Sequence, residues 1–265
     1  MNSISTSHKQ KHLKQTRISN VIKIISKDKY LYLMFAPIFI YYLVFCYLPM
    51  PGVVIAFKNF TPGSGLYSGE WVGFKWFNQL FDSPFAFRLI RNTLLLAIYP
   101  MIFGFPVPVI FAVCLSEMRN IFIKRTVQTV SYLPHFISTV VIVGMLKNFL
   151  SLNDGIINNI VALFGGERIN FMMDPGWFRT LYTASGVWQS FGFSSIIYIA
   201  VIVGIDQELY ASAKIDGINK FQEVYYITIP MIIPTITILL LLQLGGIMSV
   251  GFEKVYLMYS GATYE

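Results

Sequence analysis

Five apolar runs decide what this chain can become: residues 31–50, 93–116, 127–150, 180–205 and 231–250. Each is long enough to cross about 30 Å of hydrocarbon as a helix rising about 1.5 Å per residue. Lipid offers no hydrogen bonds, so a crossing segment must satisfy its backbone internally, and the runs are expected to be helices. The third is interrupted by Ser131, Pro134, His135 and Lys147, which leaves a kinked or re-entrant helix as the alternative to a straight span. With 55% hydrophobic and 12% charged residues, the composition is that of a membrane protein rather than a soluble core. The expected fold class is all-α, a polytopic membrane helix bundle of five spans.

The basic residues orient this bundle. Lys9, Lys11, Lys14, Arg17, Lys23, Lys27 and Lys29 precede the first run, Arg119, Lys124 and Arg125 follow the second, and Lys214 and Lys220 follow the fourth. By the positive-inside rule, residues 1–29, 118–126 and 205–229 face the cytoplasm, and residues 51–91, 151–179 and 251–265 face outside. The chain divides into a basic cytoplasmic tail, 1–29, and a transmembrane domain, 30–265. The net charge of +7 is mostly this topology signal. A basic tail beside a span meets anionic lipid, so membrane lipids are expected partners and nucleic acid is not. The charged region is too long for a signal peptide, and no cleavage site follows the first run. Trp71, Trp76, Asp174, Pro175 and Trp177 suit short interfacial pieces on the outer side. Cys46 and Cys114 fall inside runs, with no CxxC or metal-ligand spacing, and read as small packing residues.

Between the fourth and fifth runs lies a polar insert, 208–234. Its centre, Ala213-Lys214-Ile215-Asp216-Gly217, breaks a helix. Asn219-Lys220-Phe221-Gln222 then reads as a capping box that starts another helix. Phe221, Val224, Tyr225 and Thr228 follow at helical spacing, and Pro230 and Pro234 stand at the entrance to the fifth run. A helix, a turn and a second helix beside a bilayer make a docking surface, although a solvated amphipathic loop has the same pattern.

The chain offers no case for an enzyme. It has no Walker-type phosphate loop, no dinucleotide fingerprint and no H-E-x-x-H. His8 and His12 lie in the tail and His135 in the third run, so no metal cluster forms, and no cofactor is implied. Glu117, Lys147 and Asp206 sit near run ends, whereas an ion-coupled transporter places carboxylates near the midplane or shows inverted repeats. An energising partner that docks on the insert is therefore expected. Trp188, Gln189 and Ser190, with Tyr198 one or two turns later and Gln243 in the fifth run, are candidates for a sugar path. Aromatic faces and amides hold sugars, but the same groups serve more often as interhelical hydrogen-bond partners. No basic lining is legible among them.

Asp216-Gly217, Phe221 and Pro230, with Leu209-Tyr210 before and Ile227-Thr228-Ile229 after, resemble the cytoplasmic coupling loop of permease subunits of binding-protein-dependent ABC importers, in the carbohydrate branch. The segments Leu48-Pro49-Met50-Pro51-Gly52, Trp71-Val72-Gly73-Phe74, Arg91-Asn92-Thr93 and Val130-Ser131-Tyr132-Leu133-Pro134-His135-Phe136-Ile137-Ser138 extend the likeness to the LplB-type polysaccharide permeases. The resemblance implies the ABC importer permease fold in the bacterial plasma membrane, with the N-terminus cytoplasmic. It implies a second homologous permease, a dimer of ATP-binding subunits on a coupling loop at 205–230, and an extracytoplasmic solute-binding protein on the outer segments. It places docking on Glu208, Ala211, Ser212, Ala213, Asp216, Gly217 and Phe221.

Two features depart from the pattern. Ala211 stands where the family has Glu and Ser212 where it has Ala, so only Ala213 matches that triplet; Glu208, one turn earlier, is the nearest negative charge. Relatives of this type have six spans, so a sixth is expected to be missing at the C-terminus, and with it a neighbour for Gly245, Gly246 and Ser249. The alternatives are an ion-coupled secondary transporter and a truncated, non-transporting membrane scaffold.

Overall fold

The computed structural model describes residues 27–63, 65, 68–247 and 251–261. Most of the basic tail, and Ser249 and Val250 at the end of the fifth run, lie outside the described residues. Among those described, the chain is helical, with one isolated antiparallel bridge between Lys58 and Trp71 and no strand. Four helical rods are long and apolar enough to cross a membrane, or five if one sharply bent pair counts as a span. The chain divides after Ser83 into two units.

In the first unit, helix α1 (Lys29–Tyr42) continues through a π-helical turn, Leu43–Tyr47, and a 3-10 segment, Met50–Phe57. Together they form a 29-residue apolar rod. Phe57 closes it by stacking on Trp71 at 5.7 Å and meeting Phe74 and Phe77 edge-on or tilted. The Trp76 indole donates to the Lys58 carbonyl at 3.0 Å, so one side of the ring is apolar and the other polar, as suits an interfacial tryptophan. A short helix, α2 (Lys75–Asp82), ends the unit.

In the second unit, α3 (Ala86–Tyr99), a π turn (Pro100–Gly104) and α4 (Pro106–Ser116) make a 31-residue rod. α5 (Ile121–Tyr132) runs into a 3-10 turn, Leu133–Phe136, and then bends by 101° into α6 (Thr139–Phe149). The third apolar run is therefore a broken element rather than a straight span. Pro134 lacks an N–H for the helix ladder, and Ser138, extended at φ −66° and ψ 151°, restarts the chain by capping α6. Helix α7 (Ile156–Leu163) follows, then the central α8 (Pro175–Val203), whose first turn is capped by Asp174 accepting from the Gly176 N–H at 2.8 Å. α9 (Gln207–Ile215), α10 (Lys220–Glu223), a π turn (Val224–Thr228), α11 (Ile229–Gly245) and α12 (Phe252–Met258) complete the order.

All three π turns have the same cause. Pro49, Pro106 and Pro230 each stand just beyond one, and the carbonyl four residues back, on Phe45, Ile102 or Tyr226, falls inside it. A proline ring clashes with that carbonyl and cannot donate to it; widening the ladder by one residue relieves both problems. The third turn makes α10, its π turn and α11 one 26-residue rod from Lys220 to Gly245. The helix opened by the capping box is thus not a separate piece from the fifth span but its continuation.

The core sits where α4, α8 and α11 meet. Ala112, Tyr198, Ile202 and Ile232 are buried together, with Val109, Ile199, Ile236 and Leu239 packed around them. Gly192 on α8 lies against the backbone carbonyl of Ser131, where any side chain would collide. His135 stacks flat on Phe193 at 4.0 Å, which seats the broken element on α8. Cys46 and Cys114 are exposed on the single chain rather than packed.

Candidate functional site

Two places on the second unit carry functional side chains. The first is the insert. Asp206 caps α9 by accepting from the Glu208 N–H at 2.9 Å, and Glu208 adds negative charge at the positive end of the helix. α9 ends in a Schellman motif: the Ile218 N–H donates to the Ala213 carbonyl at 3.3 Å and the Gly217 N–H to the Lys214 carbonyl at 3.2 Å. The motif needs a left-handed residue, and Gly217 supplies it at φ +76°. Two residues on, the capping box is complete, with the Gln222 N–H donating to Asn219 Oδ1 and the Asn219 N–H donating to Gln222 Oε1, both at 2.9 Å.

The seven docking candidates divide by exposure. Glu208, Ala211, Ser212, Asp216, Gly217 and Phe221 are exposed, whereas Ala213 is buried. Ser212 returns its hydroxyl to the Leu209 carbonyl at 3.0 Å. Sequence reasoning passed over Ile215, which is 87% exposed beside Phe221 at 80%. Two large apolar side chains presented by one capped turn are what an interface core needs; the signal was available in Ile215 standing at the helix break.

This turn is tied to the spans at two points. The Tyr210 hydroxyl and Thr228 Oγ1 lie 3.0 Å apart, with Thr228 fully buried at the base of α11. Lys220 Nζ pairs with Glu223 at 2.9 Å and with Glu117, just beyond α4, at 3.1 Å. Glu223 is only 5% exposed, so this contact keeps a buried carboxylate compensated.

The second place is a cavity of about 710 Å³ between the α3–α4 rod, α8, α11 and α12. Gln189, Ser190, Tyr198 and Gln243 all line it. Trp188 does not; it points to a different, more apolar hollow with Tyr99, Phe103 and Phe191. Gln189 is engaged structurally as well, donating through Nε2 to the Ile137 carbonyl at 3.0 Å across the broken element.

The cavity also has a cation. Lys254 on α12 reaches it, with Nζ donating to the Tyr182 carbonyl at 2.8 Å and lying 4.9 Å from the Tyr182 ring centroid. Burial lowers the ammonium to a pKa of about 8, because charge is costly away from water. Among the described residues no carboxylate lies within ion-pair distance of it. Gly186 makes room: a Cβ there would stand 3.1 Å from Nζ. Thr183 lines the same cavity, and its buried Oγ1 has no hydrogen-bond partner. No basic lining was legible in the sequence because Lys254 sits in a segment read as facing outside, and only the return of α12 onto α8 reveals its place.

Asn158 holds the 151–174 segment. It is fully buried; Nδ2 donates to the carbonyls of Leu150, Ser151 and Ile169, and Oδ1 accepts from the Ile169 N–H at 2.8 Å. No group of three or more metal-ligating side chains occurs among the described residues.

Membrane-length rods, a proline-broken element and a capped, exposed turn continuous with one of the rods are the build of a polytopic membrane protein. Residues 104–251 match the family described as binding-protein-dependent transport system inner membrane component. The polygalacturonan/rhamnogalacturonan transport system permease protein YteP of Bacillus subtilis (strain 168) is 42% identical over 252 residues, covering 95% of this chain and 78% of that protein. Protein LplB of the same organism is 42% identical over 234 residues, covering 88% and 74%. A crystal structure of a bacterial ABC transporter involved in the import of the acidic polysaccharide alginate superposes with a TM-score of 0.84 at 41% identity, covering 92% of this chain and 82% of that one. The chain belongs to the family of binding-protein-dependent transport system inner membrane components, and it is a multi-pass membrane protein.

Proposed function

We propose that this chain is a transmembrane subunit of an ATP-driven importer for acidic oligosaccharides in the bacterial inner membrane, with its N-terminus in the cytoplasm. It works beside a second, homologous permease. The turn from Gln207 to Glu223 seats in a cleft of an ATP-binding subunit, two copies of which drive the pair. An extracytoplasmic solute-binding protein delivers the sugar to the outer segments, as the family's description implies. The proteins named for polygalacturonan and for the acidic polysaccharide alginate support the substrate class.

The observation that carries the reading is the build of the turn. Ile215 and Phe221 are exposed on a turn held by a Schellman motif and a capping box. The same turn runs without a break into α11 and is hydrogen-bonded to it through Tyr210 and Thr228. A push on the turn is therefore delivered to the spans as rigid-body motion. Ala211 lacks the charge that the family pattern places there, so the contact rests on the apolar pair and on Asp216 and Gly217. A secondary transporter is not favoured: the buried carboxylate among the described residues, Glu223, is neutralised by Lys220 rather than open to an ion.

The test is photo-cross-linking of the assembled transporter with a benzophenone amino acid at position 221. The expected product joins this chain to the ATP-binding subunit, whereas the same probe at position 163, 83% exposed in the 151–174 segment, does not form it. Cross-linking from position 163 and none from 221 would reverse the assignment.

A further inference from the structure

We propose that Lys254, backed by the Thr183 hydroxyl, is the residue that selects for acidic sugars, by holding a substrate carboxylate in the cavity between α4, α8, α11 and α12. This rests on the importer reading above and adds a residue-level determinant to it. Three observations converge. A lysine side chain is held in a cavity by a backbone carbonyl and an aromatic face, neither of which carries a full negative charge. Lys254 is half-buried, and a partly desolvated cation without a counter-ion bears a cost that an anionic ligand reduces. Thr183 stands between this cavity and the apolar hollow at Trp188, and its buried Oγ1 has no partner; such groups are expensive unless something hydrogen-bonds to them.

The remaining lining fits the rest of a saccharide. Gln189, Ser190 and Gln243 offer amides and a hydroxyl, and Tyr198 an aromatic ring with a hydroxyl. None of these distinguishes a uronic acid from a neutral sugar. Lys254 does, because a carboxylate gains a charge-assisted hydrogen bond that a hydroxymethyl or methyl ester cannot match. Gly186 leaves room for the ammonium, since a Cβ there would stand 3.1 Å from Nζ.

The experiment compares uptake of pentagalacturonate with that of its fully methyl-esterified counterpart, by the complete importer in proteoliposomes supplied with ATP. The readout is the acidic-to-neutral uptake ratio, which a merely structural role for Lys254 would leave unchanged because both sugars would suffer alike. In Lys254→Gln the ratio is expected to fall about tenfold or more, the worth of a charge-assisted hydrogen bond. Lys254→Arg, which keeps the charge, is expected to recover most of it. Gly186→Ala, which keeps the lysine but crowds its ammonium, lowers the ratio by a smaller factor and serves where Lys254→Gln does not insert. An unchanged ratio in Lys254→Gln, or in Gly186→Ala if that is the variant that inserts, overturns the assignment while the importer reading stands. Uptake of neither sugar by the wild-type assembly overturns both.

Discussion

The turn at Gly217 allows the coupling account to be tested at one atom's scale. Gly217 sits at φ +76°, and a Cβ added there meets nothing within 4 Å. Crowding therefore contributes nothing to the effect of Gly217→Val, and the cost is all backbone. An L-residue in the left-handed region costs about 1–2 kcal/mol, with a β-branched side chain at or above the upper end. The valine variant escapes that strain by leaving the region, which breaks the bonds from Gly217 to Lys214 and from Ile218 to Ala213. The strain of about 1–2 kcal/mol shifts the equilibrium between the formed and the frayed turn by roughly 5- to 30-fold. Gly217→Asn keeps the turn, because asparagine tolerates the left-handed region. The assay is ATP-dependent uptake and ATP hydrolysis by the reconstituted importer at matched permease levels. The valine variant is expected to insert and to hydrolyse ATP with little uptake, and the asparagine variant to behave close to wild type. Wild-type uptake by Gly217→Val, or equal damage from valine and asparagine, refutes the reasoning.

Three further outcomes follow from the contacts around the site. Lys220→Met strands Glu223, and since Lys220 is half exposed the loss is about 1–3 kcal/mol, seen as less protein in the membrane. Adding Glu223→Gln should restore the level, while Glu117→Gln alone costs under about 1 kcal/mol. Asn158→Leu leaves the carbonyls of Leu150 and Ile169 and the Ile169 N–H without this partner, while the Ser151 carbonyl keeps the Gly155 N–H. The substitution is expected to cost about 3 kcal/mol or more, and to open the 151–174 segment to protease added from outside. Lys254 has its pKa lowered to about 8, and the other titratable groups lining its cavity are the phenols Tyr182 and Tyr198. The charged ammonium is the minority form above that value, so uptake of pentagalacturonate falls as pH rises through about 8, whereas Lys254→Arg shows no such step.

Local features were legible in the sequence and long-range ones were not. The capping box at Asn219–Gln222 and the helix break at Gly217 formed as read, because both depend on residues within one turn. The third run broke at Pro134 for the same reason. The π turns before Pro49, Pro106 and Pro230 were not legible from proline position alone, since Pro37 and Pro234 sit inside helices without one. Continuity of the capping-box helix with the fifth span was missed, because two prolines read as a break until the π turn absorbs one. The cavity was legible only in fragments. Residue type picked out Trp188, Gln189, Ser190, Tyr198 and Gln243 together, but separating Trp188 from the others needed the orientation of α8. Lys254 and its partner carbonyl on Tyr182 are 72 residues apart, and no periodicity in either segment predicts that they meet.

The most direct measurement is the energy source of transport. The purified permease pair with its ATP-binding subunits, in proteoliposomes supplied with the solute-binding protein and pentagalacturonate, is predicted to accumulate sugar only when ATP is hydrolysed. Uptake should be unchanged when proton and sodium gradients are collapsed. Accumulation driven by an ion gradient without ATP would contradict the account.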